Sequence, residues 1–143
     1  MIEVKRVKVL SAKVIAAFGE QARKEWNECR GYRSLFYITT DKIWTLYIGG
    51  QPMCVLGFKR TSLIGSGGEV LFMLCKGFSK HGKTVLAFIK RAIQKVMKFY
   101  RTLMVRVEEG YWIGEKFVRF FGFRPTEMVT EIDKRNYKLY ELR

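Results

Sequence analysis

Short stretches of apolar or alternating residues recur along the chain and predict a protein built mainly on β-strands. The first stretch alternates clearly, with Ile2, Val4 and Val7 apolar between polar neighbours. Segments rich in glycine or polar residues separate the stretches, as is typical of turns. The predicted strands are Ile2 to Leu10, Lys42 to Ile48, Pro52 to Lys59, Val70 to Leu74, Leu103 to Val107, Glu127 to Asp133 and Tyr137 to Leu142.

Three other segments have the periodicity of amphipathic helices. In the first, Val14, Phe18 and Trp26 recur at helical spacing and are expected to face the sheet. Ser11 before it is a candidate N-cap, and Gly31 after it is typical of a helix end. The predicted helices are Ala12 to about Cys29, Lys83 to Arg101 and Trp112 to Phe121.

Turn residues predict how these elements are joined. Gly49-Gly50-Gln51 indicates a hairpin, and Lys134-Arg135-Asn136 a second one. Thr61 to Gly68 is expected to be a glycine-rich loop, and Lys76 to Gly82 a short loop between a strand and the long helix.

With 143 residues, 48% of them hydrophobic, we expect one folded domain covering residues 1–143. The sequence contains no signal-peptide core and no apolar run of membrane-spanning length. Cys29, Cys54 and Cys75 are scattered without metal-ligand spacing, which favours buried thiols, a reducing cytoplasm and no metal site. The oligomeric state is left open.

The formal net charge is +14, and residues 72–143 carry +9 of it. Such an excess implies acidic partners, whether a nucleic acid, an anionic cofactor or an acidic protein surface.

The stretch from Val70 to Val107 combines a strand, a loop, a long helix and a second strand. It contains no Asp or Glu. Because a loop that leads into a helix N-terminus offers unpaired N–H groups and the positive end of the helix dipole, this place suits a phosphate-bearing ligand. Its basic residues are Lys76, Lys80, Lys83, Lys90, Arg91, Lys95, Lys98, Arg101 and Arg106.

Residues Gly77 to Thr84 match the letters of the nucleotide-binding P-loop, G-x-x-x-x-G-K-T. That motif normally follows the first strand of a parallel sheet, with several βα units after it. Here the preceding stretch predicts an antiparallel hairpin and only one further helix and about three strands follow, so the context disfavours a nucleotide hydrolase.

The order of predicted elements resembles the GNAT superfamily of acyl-CoA-dependent N-acyltransferases over nearly the whole chain. Trp44 to Phe58 is similar to the family's central hairpin, and Phe117 to Phe123 to its late signature ending in G-F. Ser79 to Thr84 stands where the family has its pyrophosphate-binding loop. The resemblance implies an α/β (α+β) fold with a mixed, mostly antiparallel sheet of six to seven strands. Helices would flank this sheet, which would splay at its two central parallel strands.

The resemblance also implies a cofactor, acetyl-CoA, and no metal. In the family, loop amides hold the pyrophosphate, and pantetheine lies against the central strand where the two strands splay apart. The implied contacts are Met73, Leu74 and Cys75 for pantetheine, and Lys80, His81, Gly82, Lys83 and Thr84 for the pyrophosphate. Acetyl would pass directly to a primary amine, on a small molecule or a protein, and an acidic amine-bearing substrate would suit the net charge.

Several positions depart from the family pattern. Ser79 replaces the usual Gln or Arg of the loop, and Val118 stands where many members have the Tyr that protonates the leaving thiolate. A transferase also needs a base, or a water path to one, to deprotonate the amine. The candidate catalytic residues are Glu69 and Glu109 as bases and Tyr111 as acid. Alternatively, Glu69 is a solvated strand end, Glu109 offsets neighbouring basic charge, and Tyr111 is an aromatic residue at the rim of the site.

The altered loop, the missing Tyr and the phenylalanine-rich late helix are most similar to small GNAT-like proteins of short-tailed bacteriophages. That resemblance implies the alternative of a catalytically inactive virion, assembly or host-interaction protein, in the virion or the host cytoplasm. Its basic surface would bind an acidic protein or DNA through Lys90, Arg91, Lys95 and Lys98. A merely solvated helix face is the competing interpretation of those four residues.

Overall fold

Seven strands form one sheet in the computed structural model, which describes residues 2–28, 42–60 and 67–143. The order across the sheet is β1-β2-β3-β4-β5-β7-β6. The strands are β1 (Ile2–Val7), β2 (Lys42–Ile48), β3 (Gln51–Arg60), β4 (Gly67–Leu74), β5 (Thr102–Glu108), β6 (Arg124–Ile132) and β7 (Arg135–Leu142).

Every pair of neighbouring strands is antiparallel except β4 and β5, which run parallel at the centre of the sheet. The predicted mixed, mostly antiparallel sheet with one central parallel pair is therefore confirmed. The predicted strands are also confirmed, with ends that differ by a few residues.

Helices cover both faces of the sheet. They are α1 (Ala12–Ala16), α2 (Glu20–Glu28), α3 (Gly82–Val96) and α4 (Trp112–Phe120). Alternate residues of a strand point to opposite faces. Accordingly, Leu71 and Met73 pack with α1 and α2, whereas Val70 packs with Val85 and Ile89 of α3 on the other face.

The prediction of one continuous helix from Ala12 was wrong, because α1 and α2 are separate. Ser11 does cap α1, its hydroxyl oxygen accepting from the Val14 amide. The helix then stops because the Gly19 amide bonds to Leu74, the last residue of β4, and the Ala17 carbonyl oxygen to Lys76 just after it, instead of continuing the helical pattern. Those tertiary hydrogen bonds override a periodicity that continues through Phe18, Ala22 and Trp26, which are all buried.

Three other features differ from the predictions. The segment Lys76–His81 is wound as a 3-10 helix rather than an open loop, and α3 ends at Val96, five residues before Arg101. The last hairpin turns at Asp133 and Lys134, which both have positive φ, rather than at residues 134–136. The predictions for Cys29, Gly31 and residues 61–66 lie outside the described residues.

Within the described ranges, no helix is both long enough and apolar enough to cross a membrane.

Candidate functional site

A cleft opens at the centre of the sheet, where β4 and β5 separate. Their parallel pairing runs from Gly67 and Thr102 to Val70 and Val105, and it stops there although both strands continue. The remaining edges, residues 71–74 and 106–108, face a cavity of about 130 Å³. Because the strands have parted, side chains from both faces of the sheet line the same cavity.

Gly19, between α1 and α2, holds the junction of these two helices against one end of this cleft. Its amide donates to the Leu74 carbonyl oxygen at 2.8 Å, and the Lys76 amide donates to the Ala17 carbonyl oxygen at 2.9 Å. A Cβ on Gly19 would lie 3.1 Å from the Leu74 carbonyl oxygen, so a side chain there would be crowded. These contacts place the first two turns of α2 along the cleft.

Glu25, on α2, is a buried carboxyl group that lines the cleft. Only 8% of the residue is exposed, and its Oε2 accepts a hydrogen bond of 3.1 Å from the Tyr137 hydroxyl. Burial raises the pKa of Glu25 to about 7, although the hydrogen bonds from Tyr137 and Gln21 oppose that rise. A carboxyl group with such a pKa can accept and release protons near neutral pH.

Glu108, at the end of β5, lies beside Glu25 but has different partners. Its Oε1 is 3.3 Å from the Arg135 guanidinium and 3.6 Å from the Lys24 ammonium. Its Oε2 accepts from the Gln21 side-chain amide at 3.3 Å. Glu108 is thus paired with two cations, whereas the hydrogen-bond partners of Glu25 are neutral side chains.

Tyr111 lines the same cleft from the α4 side of the sheet. Burial raises its pKa, and the negative charges of Glu25 and Glu20 raise it further. A Cβ on Gly114 would lie 2.5 Å from the Tyr111 ring, so the ring fits here because residue 114 has no side chain. Of the three catalytic candidates from the sequence, Tyr111 is the one that lines the cleft.

Glu69 and Glu109 have other surroundings. Glu69 is 4% exposed and forms ion pairs with Arg106 at 3.0 Å and Lys59 at 3.6 Å. Arg106 lines the cleft, whereas Glu69 does not. Glu109 is exposed, and its backbone amide donates to the Asn136 carbonyl oxygen in the turn after β5.

The predicted cofactor residues fall into two groups. Leu74 and Cys75 line the cleft, whereas the Met73 side chain is buried on the α2 face. The other five are Lys80, His81, Gly82, Lys83 and Thr84, which lie together at the N-terminus of α3.

The N-terminus of α3 presents basic side chains and open backbone. Lys80, His81 and Lys83 are exposed, no side chain caps the helix, and its first turn contains no acidic residue. A Cβ on Gly82 would meet nothing within 4 Å, which indicates free space above the backbone. A helix end of this kind favours a phosphate group.

Phenylalanine rings from three elements form an apolar wall beside the cleft. Phe72 of β4 contacts Phe117 of α4 at 5.4 Å between ring centroids, and Phe117 contacts Phe78 of the 3-10 helix at 6.1 Å. Phe121 stacks on Phe72 at 6.3 Å and meets Phe117 edge-on at 5.1 Å. Such a wall excludes water from one side of the cleft.

The sequence did not single out Glu25. It lies three residues after Ala22 and seven after Phe18, on the apolar face of the helix. A carboxylate on the apolar face of a helix could have identified Glu25 from the sequence. A buried charge is costly unless it is paired, and such groups are often found at functional sites.

Cys75 is unsuited to act as a nucleophile despite its place in the cleft. Both Cys54 and Cys75 are buried and free, and burial raises the pKa of Cys75 to about 12. Its thiol therefore stays protonated near neutral pH.

Solved structures share this architecture, and two of the three described here do so over nearly the whole chain. An IAA acetyltransferase from Bacillus cereus superimposes with a TM-score of 0.66, 10% identity and 99% of both chains covered. A Bacillus subtilis acetyltransferase in complex with CoA gives 0.64 and 12%, covering 99% of this chain and 98% of its own. The spermidine N-acetyltransferase of Vibrio cholerae gives 0.60 and 10%, covering 78% and 69%.

These comparisons define the class of protein at the level of fold. The chain has the fold of the GNAT acetyltransferases, as the sequence resemblance implied. No protein-family profile matches the sequence, and the search of curated proteins finds no match.

Proposed function

We propose that the protein is an acyl-CoA-dependent N-acyltransferase that transfers acetyl to a primary amine. The observation that carries this proposal is the separation of β4 and β5 after Val70 and Val105, which leaves two strand edges facing a cavity. Strand edges offer free N–H and C=O groups to an extended amide-containing chain such as pantetheine.

Acetyl-CoA fits the chemistry of the residues around the cleft. Leu74 and Cys75 would contact the pantetheine arm, and the phenylalanine wall would cover its apolar part. The pyrophosphate would bind at the start of α3, where Gly82 leaves the backbone open and Lys80 and Lys83 supply positive charge. The bound thioester supplies an activated acetyl group.

The cleft itself favours a cationic amine, despite the basic charge of the whole chain. Glu20, Glu25 and Glu108 line it on the α2 side, and Arg106 is the basic side chain among its lining residues. The Vibrio cholerae neighbour acetylates spermidine, which makes that polyamine a reasonable first probe. An ammonium group would be attracted toward the carboxylates, next to where the thioester would lie.

The test is a calorimetric titration of acetyl-CoA into the protein, followed by release of free thiol in the presence of spermidine and of a lysine-containing peptide. Saturable binding with amine-dependent thiol release is the expected result. No heat at millimolar acetyl-CoA would remove the transferase proposal.

The basic side of α3 supports a second candidate function, binding of nucleic acid or of an acidic protein without catalysis. Lys90, Arg91 and Lys95 of this helix, and Lys98 just after its end, are all exposed. Phosphate contacts from such a face would give affinity that falls steeply with salt. A bacteriophage origin, with a role in the virion, in assembly or in host interaction, stays a prediction within this candidate.

A further inference from the structure

A transferase needs a group that removes a proton from the attacking ammonium, and the cleft offers three carboxyl groups for that task. Glu20 is exposed, and Glu108 is held by Arg135 and Lys24. Glu25 is the buried one, and its Oε2 bonds to the hydroxyl of Tyr137. A carboxyl group that is buried, open to the cavity and hydrogen-bonded to neutral side chains is the best suited of the three to act as the base.

The position of Glu25 follows from contacts distant in the sequence. The Gly19–Leu74 hydrogen bond holds α2 along the cleft, and Tyr137 reaches Glu25 from β7. Tyr111 approaches from the other face of the sheet, close enough for the charge of Glu25 to raise its pKa. A carboxyl group and a phenol thus stand at the same opening between β4 and β5.

We propose that Glu25 is the general base of the acyl transfer and that Tyr137 is the residue that positions it. This inference rests on the proposed function and adds the group that activates the amine. It replaces Glu69 and Glu109, the bases expected from the sequence, with a residue on α2.

The proton and bond changes balance as follows. The ammonium group gives one proton to the Glu25 carboxylate. The freed lone pair forms the C–N bond with the acyl carbon as the thioester C–S bond breaks. Tyr111 donates a proton to the departing thiolate and regains one from the second N–H of the amine. The products are an amide, a free thiol and a protonated Glu25, which returns its proton to solvent.

Several groups around Glu25 set the pH at which it works. Burial raises the pKa of Glu25 and the negative Glu108 adds to the rise, whereas hydrogen bonds from Tyr137 and Gln21 and the charge of Arg135 lower it. The titratable and charged groups that face this region are Glu20 and Lys24 from α2, Cys75 after β4, Arg106 and Glu108 from β5, Arg135 and Tyr137 from β7, and Tyr111 before α4. Loss of the Tyr137 hydroxyl is therefore expected to move the pKa of Glu25 upward.

The decisive experiment compares Glu25→Gln, Tyr137→Phe and the surface control Glu127→Gln with the unaltered protein. With spermidine as acceptor, Glu25→Gln is expected to lower kcat/KM by about 100-fold at pH 7, in the usual range for a lost general base. Its acetyl-CoA affinity by calorimetry stays within about twofold, since the carboxyl does not hold the cofactor in this proposal. Tyr137→Phe shifts the acidic limb of the pH–rate profile to higher pH, and Glu127→Gln leaves the profile unchanged.

A second readout needs no turnover. In protein carrying carboxyl-¹³C glutamate, one resonance is expected to titrate near pH 7 and to be missing in Glu25→Gln. A Glu25 resonance that titrates at the ordinary glutamate value overturns the inference, as does a Glu25→Gln variant with an unaltered rate. If the unaltered protein binds no acetyl-CoA or acetylates no amine, the proposed function fails and the base assignment fails with it.

Discussion

The amide of Gly19 donates a 2.8 Å hydrogen bond to the carbonyl oxygen of Leu74, and together with the bond from the Lys76 amide to the Ala17 carbonyl oxygen it connects the first helices to the end of the central strand. It stops α1, sets the start of α2 and covers part of the β4 edge that the splay exposes. The bond therefore determines where α2 carries its carboxyl groups relative to the cleft.

Replacing Gly19 with Ala is expected to destabilise the protein by about 1–2 kcal/mol, because the new Cβ would lie 3.1 Å from the Leu74 carbonyl oxygen and force the backbones apart. Urea unfolding followed by circular dichroism measures the change. Gly82→Ala is the matched control, since its Cβ meets nothing within 4 Å and Ala suits a helix better than Gly. Equal stability of the two variants would contradict the crowding.

Gly82→Asp is expected to abolish measurable acetyl-CoA binding, because it places a carboxylate at the helix end proposed to hold the pyrophosphate. Calorimetry at low salt measures the affinity. Gly82→Ala, which adds a methyl group without charge, keeps binding within a fewfold of the unaltered protein. An Asp variant that binds as tightly as the Ala variant would rule out this place for the pyrophosphate.

Glu25 makes the folded protein less stable as the pH rises from about 4.5 to about 7. The pKa of Glu25 is raised from 4.5 to about 7 in the folded state. Its contribution to stability is thus fully present below pH 4.5 and is lost as the pH rises through the folded-state pKa. A shift of this size corresponds to roughly 3 kcal/mol.

The measurement for that prediction is the free energy of unfolding of the unaltered protein and of Glu25→Gln between pH 4 and pH 8. Their difference is expected to change in favour of the variant as the pH rises, because Gln carries no charge to bury. A constant difference across this interval would show that Glu25 titrates alike in the folded and unfolded chains.

Glu69→Gln is expected to cost roughly 3 kcal/mol of stability and to leave the chemistry of the folded protein intact. The substitution leaves the charges of Arg106 and Lys59 without the buried carboxylate that they pair with at 3.0 and 3.6 Å. Denaturant unfolding gives the stability, and thiol release per folded molecule gives the activity. A folded variant with a large loss of turnover would return Glu69 to the list of catalytic candidates.

Changing Lys90, Arg91 and Lys95 together to Glu is expected to weaken duplex DNA binding strongly at low salt, if α3 is the contact surface. The matched control changes three exposed basic residues elsewhere, Lys8, Arg124 and Lys134, together to Glu. It alters the net charge by the same amount but leaves the surface of α3 unchanged. Gel shifts over a salt series compare the two triple variants. Equal weakening would assign the effect to net charge, and equal retention would remove the DNA hypothesis.

The sequence by itself determined the strands, the last two helices and the central βαβ unit, because apolar periodicity is a local property that reports which face of an element is buried. It also placed Lys80, Gly82 and Lys83 at a helix N-terminus, since a strand, a glycine-containing segment and an amphipathic helix follow one another directly.

Only the tertiary structure decided which carboxyl groups share the cleft. Glu25 meets Tyr137 across 112 positions of the chain, and Gln21 meets Glu108 across 87. The break between α1 and α2 has the same origin, because the Gly19 amide donates to the Leu74 carbonyl oxygen and not to a carbonyl oxygen of α1. Such contacts depend on the separation of β4 from β5 and on the packing of α2 over it, which local patterns of hydrophobic residues do not encode.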